Sequence, residues 1–217
     1  MQRDAIKLAD RRGVVRPLRR SSVSKSAGTA ASGRSVMPNA VIGTLVFVGA
    51  EAMFFAGLIS AFLVLRAGSE VWPPTDQPRL PVLVTAINTL ILLASGYTMQ
   101  RAVRTARTGQ QRGSIQWLGA TLLLGVVFLA VQGSEWLRLL SYGLHASSSL
   151  YGATFYALIG AHGLHVFGAV IVLMVVRRGL VNRREAAHNS AAVEASRIYW
   201  FFVVGVWPIL YVLVYLL

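Results

Sequence analysis

The sequence predicts an all-α membrane protein, a bundle of five transmembrane helices. Hydrophobic residues make up 55% of the 217 residues and charged residues only 13%, whereas a soluble domain carries about 25% charged residues. Five apolar runs are each long enough to cross a bilayer, which takes about 20 residues. The net charge of +13 lies in a tail and in short connections, a membrane pattern that argues against a nucleic-acid-binding surface.

The chain begins with a basic arm at residues 1–36. This segment holds nine lysines and arginines and no apolar run, so we expect it to be disordered. Two roles fit the arm. One is contact with anionic lipid headgroups, at about 1 kcal/mol for each basic side chain near the surface, and the other is solvation alone.

The five predicted spans follow within a transmembrane domain at residues 37–217. They cover residues 40–65, 80–100, 115–137, 150–176 and 198–217. Ser114 precedes the third span and is expected to cap it. The arm and the second and fourth connections carry eighteen lysines and arginines, and the other side carries three. Basic residues favour the cytoplasmic side, so the N-terminus is predicted in the cytoplasm and the C-terminus outside.

Ionisable side chains inside the spans are candidates for function, because charge there is costly and usually faces the bundle interior. Glu51 lies near the middle of the first span, and His162 and His165 share a face of the fourth at i, i+3 spacing. Two roles stay open for Glu51: a proton relay, or a neutral acid that forms a hydrogen bond to a neighbouring helix. Both histidines lie on one helix, so structural imidazoles are favoured over haem or metal ligands.

The third span carries a second polar pair, Gln132 and Glu135, near its outer end. Arg138 follows Glu135 by three residues, and we expect these two side chains to form an ion pair. The sequence contains no cysteine, which excludes thiolate metal sites. It also contains no nucleophile–base set or phosphate-binding loop. We therefore predict no catalytic residue and no metal site in this chain.

Depth along the helices predicts which residue Glu51 contacts. At 1.5 Å per residue, Glu51 lies about 17 Å and His162 about 12 Å from the cytoplasmic edge. His165 lies about 4.5 Å further toward the cytoplasm, so it is the second choice, and Gln132 is a weaker one. Rows of small residues would let the first and fourth spans approach closely: Ala52, Ala56 and Ser60, and Ala153, Ala157 and Ala161.

Several stretches, in order along the chain, resemble the haem–copper oxidase subunit III family. They are Glu-Ala-Met-Phe-Phe-Ala-Gly at 51–57, Trp-Pro-Pro at 72–74, Asn-Thr-Leu-Ile-Leu-Leu at 88–93, Gln-Gly-Ser-Glu-Trp at 132–136, His-Gly-Leu-His-Val at 162–166 and Tyr-Trp at 199–200. The match covers about residues 40–217. It is similar to the five-helix form of the family, which lacks the first two of seven helices.

The resemblance implies a subunit without haem or copper, in the inner (plasma) membrane of a bacterium. Its partners would be the haem- and copper-bearing catalytic subunit I, subunit II, membrane phospholipids and the other members of a larger respiratory supercomplex. It would support proton uptake in an enzyme that oxidises cytochrome c, reduces oxygen to water and pumps protons. Lipid headgroups are expected near Arg66, Trp72 and Arg138.

One departure leaves the subfamily open. The family usually has Tyr-Trp-His-Phe-Val-Asp where the last helix starts, and this chain has Phe201 and Val204 in place of the His and the Asp. A component of a quinol oxidase or of a nitric-oxide-reductase complex therefore stays an alternative. So do two other classes, a small proton-coupled transporter that uses Glu51 and a haem b membrane enzyme.

Overall fold

The computed structural model describes residues 39–72, 81–143, 145–147, 149–182 and 186–216, with the backbone alone for 186–190. Within these ranges all regular structure is helical, and five helices are long and apolar enough to cross a membrane, which confirms the predicted fold. The helices are α1 (Asn39–Ala67), α2 (Val82–Arg107), α3 (Gln111–Ser141), α4 (Leu150–Val181) and α5 (Ala186–Tyr211), and α5 continues into a short π-helix (Val212–Leu216). The predicted disordered arm at 1–36 lies outside the described residues.

Three of the helices extend well beyond the predicted spans on one side of the bundle. α2 continues to Arg107, α4 continues to Val181 and α5 begins at Ala186. The extra turns contain arginine and alanine, which are good helix formers, so the helices persist where the apolar runs end. The expected cap at Ser114 is wrong, because α3 begins at Gln111 and Ser114 is buried one turn inside it. The length of an apolar run therefore predicts the part of a helix that crosses the bilayer, and not the full length of the helix.

Successive helices run in opposite directions, so the connections lie at two ends of the bundle. The end that carries the α2–α3 and α4–α5 connections is called here the arginine-rich end, and the other is the opposite end. At the arginine-rich end Arg107 of α2 contacts Glu194 of α5, at 3.2 Å. At the opposite end the Tyr211 hydroxyl of α5 donates to the Val82 carbonyl of α2, at 3.3 Å. α2 and α5 are therefore antiparallel over their full lengths.

The core lies between α2, α3, α4 and α5, and α1 packs at the edge against α4 and α5. Trp200 and Trp207 of α5 are fully buried at the centre of these four helices. The indole N–H of Trp200 donates to the Ser95 hydroxyl, at 3.2 Å. The indole N–H of Trp207 donates to the Thr89 hydroxyl, at 2.9 Å. Hydrogen bonds between buried side chains thus join α5 to α2, as expected where no water is available to polar groups.

The two rows of small residues do not face each other. Ala52, Ala56 and Ser60 of α1 are exposed. The buried face of α1 carries Phe55 and Phe62 instead, each 2% exposed. Large aromatic side chains bury more surface than alanines, so they and not the small row determine which face of α1 turns inward. A cavity of about 260 Å³ remains between α1 and α4, lined in part by Ala153 and Ala157.

Candidate functional site

The contact between α1 and α4 is centred on a hydrogen bond between Glu51 and His165. The Glu51 Oε2 and His165 Nε2 atoms are 2.6 Å apart, and each side chain is 18% exposed. The other ring nitrogen, Nδ1, lies 2.6 Å from the Ala161 carbonyl oxygen one turn earlier on α4. A carbonyl oxygen only accepts, so Nδ1 carries a proton. The two side chains therefore share one further proton between Nε2 and Oε2.

Aromatic rings of α1 pack beside His165 in this pair. The rings of Phe54 and Phe55 lie 5.9 Å and 5.0 Å from the His165 ring, measured between centroids. An apolar enclosure lowers the local dielectric, which strengthens a hydrogen bond that is made and raises the cost of one that is lost. The Glu51–His165 pair is thus suited to hold α1 against the remainder of the bundle.

The predicted order of partners for Glu51 is wrong. His165, the second choice, bonds to Glu51, while His162 does not, and Gln132 donates to the Tyr215 hydroxyl at 3.2 Å. Residues at i and i+3 stand about 60° apart around a helix axis. This angle is enough to direct His165 to α1 and His162 into the core. Depth along an upright helix does not determine which direction a side chain faces, and that direction selects the partner here.

His162 lies in the interior of α2–α5, with 1% of its surface exposed. Its ring stacks on Trp207 with centroids 4.9 Å apart, and the Phe128 ring is edge-on to it at 6.2 Å. The predicted polar constellation is therefore divided in two. Glu51 and His165 lie between α1 and α4, and His162 lies in the core with the third-span residues.

The third-span pair extends this second group toward the opposite end. Glu135 is 5% exposed and accepts a hydrogen bond from Arg138 at 3.1 Å, so the expected ion pair is confirmed. Sequence reasoning missed the role of Tyr215, which the π-helix turns inward to meet Gln132. A pattern with a period of 3.6 residues cannot predict that turn, because a π-helix changes the register by one residue.

Trp72 packs within the protein at the opposite end. Its ring is edge-on to the rings of Phe62 and Tyr151, at 5.7 Å and 5.2 Å between centroids. Arg138 has a side chain that is 68% exposed, and Arg66 lies in the last turn of α1. Contact of Arg66, Trp72 and Arg138 with lipid headgroups stays a prediction.

A second cavity, of about 480 Å³, opens between α1, α4 and α5 toward the arginine-rich end. Its wall is mostly apolar and includes Phe47, Val172 and Tyr199. Beside it, Glu194 forms ion pairs with both Arg107 and Arg197. Among the described residues, no group of three or more His, Asp or Glu side chains is placed to hold a metal ion.

Comparison with known proteins assigns these features to one family. The family model described as cytochrome c oxidase subunit III matches residues 19–217. A cytochrome c oxidase subunit 3 of Synechocystis is 36% identical over 178 residues, which cover 82% of this chain and 75% of the relative. A probable cytochrome c oxidase subunit 3 of Nocardia farcinica is 39% identical over 181 residues, 82% of this chain and 88% of the relative. The corresponding subunit of Thermostichus vulcanus is 37% identical over 178 residues, covering 82% and 87%.

Proposed function

Because the chain belongs to the cytochrome c oxidase subunit III family, we propose that it is the non-catalytic subunit III of a proton-pumping terminal oxidase. In this proposal it spans the inner membrane of a bacterium with its N-terminus in the cytoplasm and its C-terminus outside. Catalytic subunit I holds the haem and copper, subunit II completes the enzyme, and cytochrome c donates the electrons. The subunit flanks subunit I, stabilises it during turnover and supports proton uptake.

The Glu51–His165 hydrogen bond is the observation that best supports a stabilising role. It fixes the least buried helix, α1, to α4 at mid-helix, so the subunit presents one rigid surface to its partner. The other described acids, Glu70, Glu135 and Glu194, lie near the two ends of the bundle. No described acid continues a path from Glu51 through the chain, so the pair is proposed to join helices rather than to conduct pumped protons.

Phospholipid is the proposed occupant of the cavity between α1, α4 and α5. Its apolar wall suits an acyl chain, and the cavity opens toward the end of α4, whose last turn carries Arg178. Basic side chains near a membrane surface attract anionic headgroups. Lipid bound there would fill the space that α1 leaves open and would complete the surface of the subunit.

A quinol oxidase component is the second candidate, because Phe201 and Val204 depart from the family pattern. Val204 is buried and lies 3.5 Å from the position that a Cβ of Gly96 would occupy. Oxygen consumption by the purified complex with reduced cytochrome c, and separately with a quinol, distinguishes the two. Turnover with cytochrome c supports the first proposal, and turnover with the quinol alone supports the second.

Comparison of the oxidase with and without this chain tests the proposed role. Loss of the chain should leave the initial oxygen-reduction rate largely intact, slow proton uptake and shorten the active lifetime. An oxidase that takes up protons at the same rate and lasts as long without the chain contradicts the proposal.

A further inference from the structure

The interior of α2–α5 contains a layer of polar side chains contributed by every helix of the four. Asn88 belongs to α2, Gln132 to α3, His162 to α4 and Tyr215 to the π-helix that continues α5. These four residues, called here the buried polar layer, are between 1% and 8% exposed. Neither bulk water nor lipid therefore reaches them from outside.

Contacts through Phe128 and Gln132 of α3 place these residues within about one helical turn of each other. Asn88 Nδ2 donates to the backbone carbonyl of Phe128 at 3.1 Å, and the Phe128 ring is edge-on to the His162 ring. Gln132 follows Phe128 by one helical turn and donates to the Tyr215 hydroxyl.

Three atoms of the layer are buried without a hydrogen-bond partner among the described residues: Asn88 Oδ1, Gln132 Oε1 and His162 Nε2. At Asn88 the amide nitrogen and oxygen can be told apart, because the Phe128 carbonyl can accept only from the nitrogen. The amide oxygen is therefore the atom without a partner. Buried polar atoms in native proteins almost always have a partner, either protein or ordered water. The two amide oxygens need a donor, and one water molecule has two O–H groups to donate and can still accept.

We propose that the buried polar layer binds ordered internal water, which joins Asn88 Oδ1, Gln132 Oε1 and His162 Nε2. Buried waters typically make about three such hydrogen bonds. This water connects α2, α3 and α4 at a point separate from the Glu51–His165 pair. The buried polar layer is thus a water-binding site that goes beyond the proposed function. The bound water holds the four-helix core in one arrangement.

High-resolution electron cryomicroscopy of the intact oxidase complex tests the proposal directly. Water elsewhere in the same map serves as the positive control for resolution. We expect density within hydrogen-bond distance of Gln132 Oε1 and at least one of the other two atoms. Direct bonds among these side chains, with no density between them, would overturn the proposal.

A double-mutant cycle provides a second readout, which is retention of this subunit in the complex through a detergent gradient. Gln132→Leu and His162→Phe each leave the water and the remaining polar atoms short of a partner, so each should lower retention. No direct hydrogen bond joins Gln132 and His162 among the described contacts, so coupling between them must pass through an intermediary. We expect the double variant to lose less than the product of the two single fold-losses.

The control cycle combines Gln132→Leu with Thr121→Val. Thr121 bonds to Thr98 at 2.9 Å, nearer to the arginine-rich end. The fold-loss of retention in this double variant should therefore equal the product of the two single fold-losses. Independent effects in the test pair as well would contradict a shared water. If a variant fails to assemble, the map of the unaltered complex decides the question alone.

Discussion

At the scale of single residues, the hydrogen bond between Glu51 and His165 determines how α1 is held. The sequence identified both residues as candidates, because a carboxyl group and an imidazole inside a membrane span need a partner. It could not decide between His162 and His165, since the choice depends on the rotation of α4 about its axis. That rotation is set by packing of the whole core, including the stack of His162 on Trp207.

Substitution of Glu51 separates its bonding role from its protonation. Nδ1 of His165 carries the proton that it donates to the Ala161 carbonyl, so Nε2 is free to accept a hydrogen bond. In the Glu51→Gln variant the side-chain amide donates this bond, so assembly and most proton pumping should persist. Glu51→Ala leaves His165 without its partner, at a cost of about 1–3 kcal/mol. We expect loosened attachment of the subunit, measured as its retention through a detergent gradient.

An exposed acid that follows the end of α1 provides the control, since Glu70→Ala removes a carboxylate without removing the Glu51–His165 contact. Retention should be unchanged in Glu70→Ala. A Glu51→Gln oxidase that assembles normally but cannot pump protons would show that the proton itself, and not the bond, is what the enzyme needs.

The two departures from the family pattern should respond differently to restoration. Val204 is 5% exposed and Phe201 is 38% exposed, so only Val204→Asp places a carboxyl group in a packed apolar contact, beside Gly96. An unpartnered polar group there costs about 1–3 kcal/mol. We expect Val204→Asp to lower subunit retention and Phe201→His to have little effect, with no gain in oxidase turnover from either. A clear gain from the restored pair would contradict this interpretation.

At the scale of helices, the fit of the Trp200 ring of α5 against α3 depends on one glycine. A Cβ at Gly125 would lie 2.7 Å from the Trp200 ring, whereas a Cβ at Gly133 on the same helix meets nothing within 4 Å. Gly125→Ala should therefore destabilise the subunit by about 1–3 kcal/mol through overpacking. Gly133→Ala should be neutral or slightly stabilising, because alanine favours a helix interior by about 1 kcal/mol.

Thermal dissociation of the assembled oxidase measures both variants in parallel. A lower dissociation temperature for Gly125→Ala alone is the expected result. Equal temperatures for the two variants would mean that the Trp200 ring moves aside freely and that its fit against α3 does not require Gly125.

The helices themselves were largely predictable, because a span of about 20 apolar residues is a direct consequence of bilayer thickness. The packing between the helices was less predictable from the sequence. The alanines of α1 suggested a close helix contact, yet Phe55 and Phe62 form the buried face. The π-helix at Val212–Leu216 also escaped prediction, since its register depends on the burial of Tyr215 against neighbouring helices.

At the scale of the whole molecule, the structure has two polar centres with different surroundings. The Glu51–His165 pair joins the peripheral helix α1 to α4, and the buried polar layer lies inside α2–α5. The sequence motifs indicated the subunit III family, and the family model, which matches residues 19–217, confirms it. The division into two centres follows only from helix rotation, which no motif records.

Co-purification tests the central claim, that this chain is an accessory subunit of a terminal oxidase, most directly. The chain would be purified from its native membrane in mild detergent through a tag after Leu217, followed by a haem spectrum, copper analysis and mass spectrometry of the bound proteins. The account predicts a complex with a haem- and copper-bearing partner that consumes oxygen with reduced cytochrome c. A stable and functional monomer, free of any such partner, would contradict it.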